Sequence, residues 1–195
     1  TRRVRPPWWG IPAENTLDRS TAMLPKLMYE RLDETGVDFA IVYPTIGLLA
    51  LGTPMDDIRL PLCRAINNYH KDVFAPYQDR LSPVALIPTN TPDEAIAELD
   101  YAVGDLGYKN VMLAGVVHRP LPGGDTRQAF YIDHLGVDSP YDYDCVWQRC
   151  QELKVAPAFH SGGMGWGSRN SPNNYMFNHV GHFAAAGDAP CKSLF

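Results

Sequence analysis

The residues best suited to chemistry stand where a short apolar run stops. In VAPAFHSGGMGWGSRN, the run beginning at Val155 ends in His160, and Ser161, Gly162 and Gly163 follow at once. Imidazole is the commonest transition-metal ligand and the commonest general base. The glycines leave room for a metal or ligand close to the backbone. The competing reading is a histidine bonded to a neighbouring carbonyl, with glycines that serve only the turn. The run GGMGWG lacks the Lys-Ser/Thr of a P-loop, so a phosphate cradle has little behind it. Further on, NHVGHF sets His179 and His182 three apart. On a helix that spacing shares one face and suits a metal, or else one ring packs and the other meets solvent. Trp8, Trp9 and Trp166 fall in loops, where tryptophan lines organic-substrate pockets or packs a lid on its own core. Arg169 could pair with a carboxylate or stay solvated. His118 could face the same mouth as His160, His70 reads as surface, and His134 is unassigned. No Gly-x-Ser-x-Gly elbow occurs, so an α/β-hydrolase triad has no support.

These side chains need a scaffold, and the chain alternates strand and helix to supply one. Residues 1–20, with Pro6, Pro7 and Pro12, read as an extended loop. TAMLPKLMYERLDETG carries Leu24, Leu27, Met28 and Leu32 at helical spacing, with Gly36 as a C-terminal cap. VDFAIVYP reads as a strand buried on both faces. A helix runs from Asp56, as N-cap, to about Gln78, with Pro61 near its start. SPVALIP is the second strand. TPDEAIAELDYAVGDLG is a helix with Thr91 as N-cap, Pro92 at N1 and Gly107 at its end. KNVMLAG is the third strand, followed by a long loop with RPLPGGD. DYDCVWQRCQELK is a helix and VAPAF the fourth strand. Residues 171–195 read as a helical connection. Four strand-helix units with apolar strands fit a doubly wound open sheet or part of a (β/α)8 barrel. Both place chemistry at strand carboxyl ends, where Tyr43, Thr89, Asn90 and His160 stand.

Bulk properties narrow the class. The 195 residues suit a single domain, 45% hydrophobic and 20% charged. Seventeen basic and 22 acidic residues give a net charge of −5, no electrostatic basis for nucleic-acid binding. No apolar run approaches the roughly 20 residues of a membrane span, and no signal-peptide core is present. Cys63, Cys145, Cys150 and Cys191 form no CxxC pair, which argues for buried thiols in a reducing cytoplasm rather than a zinc knuckle.

Two segments carry a family resemblance: RPPWWGIPAENTLDRSTAMLPKLMYERLDETGVDFAIVYPT and YDYDCVWQRCQELKVAPAFHSGGMGWGSRNSPNNYMFNHVGHFAAAG. They resemble the amidohydrolase-related family, in the branch of aminocarboxymuconate semialdehyde decarboxylase and the resorcylate-type decarboxylases. The resemblance implies a metal-dependent (β/α)8 TIM barrel. It implies a His-x-His or Glu-x-His pair on the first strand and a metal histidine after the fifth. A catalytic histidine after the sixth strand and a metal aspartate after the eighth complete the set. His160 matches the metal histidine after the fifth strand. The chain has no His-x-His or Glu-x-His and ends at Phe195 before a sixth strand, so the expectation is a fragment holding strands 2 to 5. Alone it should bind metal weakly and turn nothing over. The implied cofactor is a divalent metal, zinc or manganese, and the implied partner a small-molecule carboxylate substrate. A homodimer would suit the helices after His160. Trp8, Trp9, Trp166, Arg169 and His182 are the candidates for lining the substrate pocket. The implied activity is non-oxidative decarboxylation of an aromatic or unsaturated acid. The alternatives are hydrolysis of an ester, lactone or amide, and an inactive barrel with a binding or structural role.

Overall fold

In a computed structural model, residues 16–45, 47–123, 130–135 and 139–160 are described. Helices α1 (Thr16–Met23) and α2 (Pro25–Glu30) precede strand β1 (Ala40–Val42). Helices α3 (Gly47–Leu51) and α4 (Asp56–Phe74) lead to β2 (Leu81–Ile87). Helix α5 (Pro92–Leu99) leads to β3 (Asn110–Ala114). A hairpin of β4 (Val117–Pro120) and β5 (Phe130–Asp133) intervenes before α6 (Asp144–Leu153) and β6 (Pro157–His160).

The main sheet is parallel throughout, in the order β1-β2-β3-β6. That order decides between the two architectures. A doubly wound sheet reverses its strand order and covers both faces with helices. Here the strands follow one another in chain order, and α5 and α6 both pack on one face. Right-handed crossovers that never reverse direction put their helices on one side, as α5 and α6 lie here and as in a barrel.

Register and burial identify the two faces. Ala85, Ile87, Val111 and Leu113 share a core with Ala95 and Leu99 of α5 and Val146 and Cys150 of α6. Val84, Leu86, Met112 and Ala114 point the other way, into a core with Ala50 and Leu51 of α3. The first face carries α5 and α6; the second, concave face is covered by α3 and by Cys63 of α4.

Local chemistry explains the best-formed connection. The Thr91 hydroxyl accepts the Glu94 N–H at 3.3 Å, Pro92 opens α5, and Asp93 and Glu94 sit in its first turn. The helix loosens into a π-turn over Asp100–Asp105, and Gly107 leaves with φ +73°. Asn67 of α4 does something different. Its amide donates to the Leu86 carbonyl (3.0 Å) and accepts from the Leu86 N–H (2.8 Å). β1 pairs β2 only as far as Pro83. The Asn67 side chain thus stands in for a missing strand neighbour and satisfies buried backbone groups that would otherwise be orphaned.

Several expectations need correction. Of the extended N-terminal loop expected over residues 1–20, residues 16–20 are helical, because α1 begins at Thr16, and residues 1–15 lie outside the described residues. The helix read over residues 21–36 is broken at Leu24, which is extended (ψ 109°) ahead of Pro25. β1 is not buried on both faces: Ile41 is 49% exposed and Phe39 52%. It is the outer strand, and among the described residues nothing covers its concave side. Met55, not Asp56, is the N-cap of α4, and Asp56 lies in the first turn. The long loop after β3 contains the β4-β5 hairpin. Of the described cysteines, Cys63 and Cys150 are buried, but Cys145 is exposed.

Candidate functional site

The carboxyl ends of the strands converge on one rim. β6 ends at His160, paired in register with Ala114, and the Gly115 N–H donates to the His160 carbonyl at 3.0 Å. Strand alternation fixes the ring's side. Phe159 packs among the helix-side residues, edge-on to Trp147 at 5.8 Å. His160, the next residue, lies with Ala158, Met112 and Ala114 on the concave face, and is half-buried. The imidazole therefore stands at the carboxyl rim, on the side away from α5 and α6.

Beside it, β2 runs out through Thr89 and Asn90. The Thr89 hydroxyl is buried and has no hydrogen-bond partner among the described residues. The carbonyls of both residues are occupied. Tyr143 donates its phenol to the Thr89 carbonyl at 2.7 Å, and Arg119 donates to that of Asn90. The Asn90 N–H is held by Glu94.

Arg119 is the centre of a buried clamp. Its Nε donates to Asp133 Oδ2 at 2.8 Å across the hairpin, and another nitrogen donates to Tyr143 Oη at 2.9 Å. Its guanidinium also lies over the Tyr141 ring at 4.9 Å. Asp133 is fully buried and also accepts from the Leu135 N–H (2.8 Å) and the Ser139 hydroxyl (2.9 Å). Burial works most strongly against the Arg119 charge, but the hydrogen bonds and charge attraction from Asp133 and Tyr143 together outweigh it and hold the proton more tightly than usual. Burial likewise raises the Tyr143 phenol, which stays neutral and keeps its proton to donate. The clamp fastens the hairpin to the end of β2 and the start of α6.

The expected site residues divide sharply. His160, Thr89, Asn90 and Tyr43 are found at strand carboxyl ends, with Tyr43 exposed. Trp8, Trp9, Trp166, Arg169, His179 and His182 lie outside the described residues. His118 is on β4, its ring 4.3 Å from that of Phe130. His70 is half-buried rather than at the surface, against the edge of Phe74 at 6.0 Å, and burial lowers its pKa. Sequence reasoning missed Arg119 and Asp133. The signal was present: VVHRP and FYID flank a Pro-Gly-Gly stretch, the mark of a hairpin.

A catalytic metal needs about three protein ligands. Among the described residues no group of three histidines, cysteines or acids is placed to hold one. His160 alone does not make a metal site. A cavity of about 270 Å³ between α4 and α5 is lined by Leu60, Arg64, Glu94 and Glu98 among others. Its acids are already engaged, Glu94 by Arg59 and Glu98 by Arg64 and Asn67, so it is a seam between helices. Among the described residues no helix is long and apolar enough to cross a membrane.

The fold is thus a partial (β/α)8 barrel: four parallel strands in sequential order, α5 and α6 on one face, strand carboxyl ends at one rim. No protein-family model matches the sequence. Solved structures that share the fold include several decarboxylases. The 2,6-dihydroxybenzoate decarboxylase from Rhizobium aligns with a TM-score of 0.59 and 19% identity, over 95% of this chain and 53% of that one. A dihydroxybenzoic acid decarboxylase from Polaromonas, solved with manganese and the inhibitor 2-nitroresorcinol, aligns at 0.54 and 23%, over 83% and 43%. The 5-carboxyvanillate decarboxylase LigW from Sphingomonas paucimobilis aligns at 0.57 and 14%, over 82% and 44%. The chain spans about half the length of these structures, and the likeness is one of fold.

Proposed function

We propose that this chain carries part of the active site of a metal-dependent decarboxylase acting on an aromatic carboxylic acid. The observation that supports it is the placement of His160. It ends the fourth sequential strand of a partial barrel whose structural neighbours decarboxylate hydroxylated benzoic acids. Its imidazole stands at the carboxyl rim, where a barrel enzyme keeps its chemistry. In this reading His160 gives one nitrogen to a divalent cation whose other ligands come from outside the described residues. Manganese is the ion held by the Polaromonas neighbour, and zinc is the other ion that imidazole and carboxylate ligands suit.

The chain's own residues would shape the site around that ligand. The buried Thr89 hydroxyl and the backbone of Asn90 sit at the same rim, and the Arg119–Asp133 clamp holds the hairpin beside them. The clamp's hydrogen bonds are already made, so it can keep a wall in place without reorganising when substrate arrives. The test is carbon dioxide release from 2,6-dihydroxybenzoate and 5-carboxyvanillate by the complete gene product, with metal analysis of the same sample. Release that tracks bound metal, with both lost in His160→Ala, supports the reading. Metal content unchanged by that substitution removes His160 from the centre.

A further inference from the structure

The polar groups at the end of β2 form one chain of hydrogen bonds, and every donor in it points the same way. Arg119 donates to Tyr143 Oη at 2.9 Å. Tyr143 donates its phenol hydrogen to the Thr89 carbonyl at 2.7 Å. That carbonyl belongs to the Thr89–Asn90 peptide, whose N–H donates to Glu94 Oε1. The other Glu94 oxygen accepts from Arg59 at 2.8 Å. A guanidinium thus stands at the donor end and a carboxylate at the acceptor end. Head-to-tail bonds polarise one another, and a low local dielectric strengthens the effect. Thr89, Tyr143 and the side chains of Arg119 and Glu94 are all buried or nearly so.

Two features place Glu94 at the end of this chain. Thr91-Pro92-Asp93-Glu94 is a capping-box sequence, in which the fourth residue ordinarily accepts the N–H of the first. Half of the box is made, since the Thr91 hydroxyl accepts the Glu94 N–H. The return bond goes one residue further back, to Asn90, so the carboxylate serves the strand end as well as its own helix. The second feature is Arg59, fully buried on α4 and held also by the Thr53 carbonyl at 3.0 Å and by Asp56 at 2.6 Å. A buried ion pair contributes little net stability over an apolar pair; here it sets where the carboxylate stands. The hairpin joins the chain from the other end, through the Arg119–Asp133 pair. We propose that Glu94 is a positioning residue for the β4–β5 hairpin. By way of the Thr89–Asn90 peptide and Tyr143 it favours the clamped arrangement, although among the described residues no hydrogen bond joins it to either strand. The relay links the α4–α5 pair to the hairpin at the carboxyl rim, and it stands independently of the decarboxylase reading.

The test is amide hydrogen exchange and proton NMR on the complete gene product. Glu94→Gln removes the charge at the acceptor end. It should lower protection of the hairpin amides about tenfold relative to those of β3, a coupling within the range of one hydrogen-bond network. Glu98 is the other buried acid of α5 and is bonded to Arg64 and Asn67 instead. Glu98→Gln should leave that ratio within about twofold. Tyr143→Phe interrupts the chain and keeps the ring. It should move the Asn90 amide proton upfield and speed its exchange. In its background Glu94→Gln should lower hairpin protection by less than about threefold. Should Glu94→Gln leave the chain unfolded, Arg59→Met/Glu94→Gln, which removes both charges of the buried pair, takes its place. Hairpin protection unchanged by the loss of Glu94 overturns the proposal, as does an equal fall in Glu98→Gln. An equal loss with and without Tyr143, or an unmoved Asn90 amide in Tyr143→Phe, overturns it too.

Discussion

Replacing Arg119 by Met gives the clearest energetic prediction, because the structure fixes both what is lost and what is stranded. The change keeps much of the side-chain volume and removes the guanidinium. Three hydrogen bonds disappear, to Asp133 at 2.8 Å, to Tyr143 at 2.9 Å and to the Asn90 carbonyl. Asp133 then keeps a fully buried carboxylate whose remaining donors among the described residues are the Leu135 N–H and the Ser139 hydroxyl. Removing one partner of a buried ion pair costs about 3–5 kcal/mol. A two-stranded hairpin is marginal by itself, so the loss should appear first as local opening of β4–β5. Amide hydrogen exchange reads this directly. Protection of the hairpin amides should fall by about two to three orders of magnitude, while amides of β2 and β3 change far less. Adding Asp133→Asn to Arg119→Met removes the stranded charge and should restore more than half of the lost protection. A drop of less than about fivefold in the single variant, roughly 1 kcal/mol, would refute the reasoning. A double variant no better than the single one would refute it as well.

Other consequences can be checked on the same protein. Asn67→Leu strands the Leu86 N–H and carbonyl and removes a 2.8 Å bond to Glu98, so urea denaturation should show a loss of about 3 kcal/mol or more; a loss below about 1 kcal/mol contradicts the strand-substitute role. Two glycine substitutions should have opposite signs: Gly47→Ala pushes a methyl to 2.7 Å from both Leu86 methyls and should cost about 1–3 kcal/mol, whereas Gly104→Ala meets nothing within 4 Å and should be neutral or stabilising in thermal denaturation. Burial pushes the Cys63 thiol up from 9.0 to about 12, so the folded form keeps a proton that the unfolded chain releases, and stability falls as pH rises through that window. Cys63→Ala should flatten the loss between about pH 9 and 10 by roughly 1 kcal/mol, and identical slopes in the two proteins would contradict the linkage.

How far the sequence revealed this structure depends on how local the deciding chemistry is. The start of α5 is legible because Thr91, Pro92, Asp93 and Glu94 are neighbours and each acts within one turn. The rim position of His160 is legible for the same reason, since an apolar run and a glycine cluster meet at one residue. Strand order is not local. Strand and helix alternate identically in an open sheet and a barrel, and only the pairing of β1, β2, β3 and β6 separates them. β1 reads as doubly buried because its residues are apolar, yet exposure depends on what lies beside it. Arg119 and Asp133 are fourteen positions apart, and each alone looks like an ordinary surface charge. They meet only because the hairpin folds back. The Asn67 contact with Leu86 likewise joins a helix to a strand nineteen positions on, and no periodicity announces it.

The central claim is that the His160 ring looks onto the concave rim and gives a nitrogen to a divalent cation. Anomalous scattering at the manganese edge, from crystals of the complete gene product grown with manganese, tests this directly. The account predicts a single strong peak about 2.0–2.2 Å from one nitrogen of His160, on the side of the sheet shared with Ala114. A manganese peak held entirely by other residues, with the imidazole turned toward α6, would contradict it.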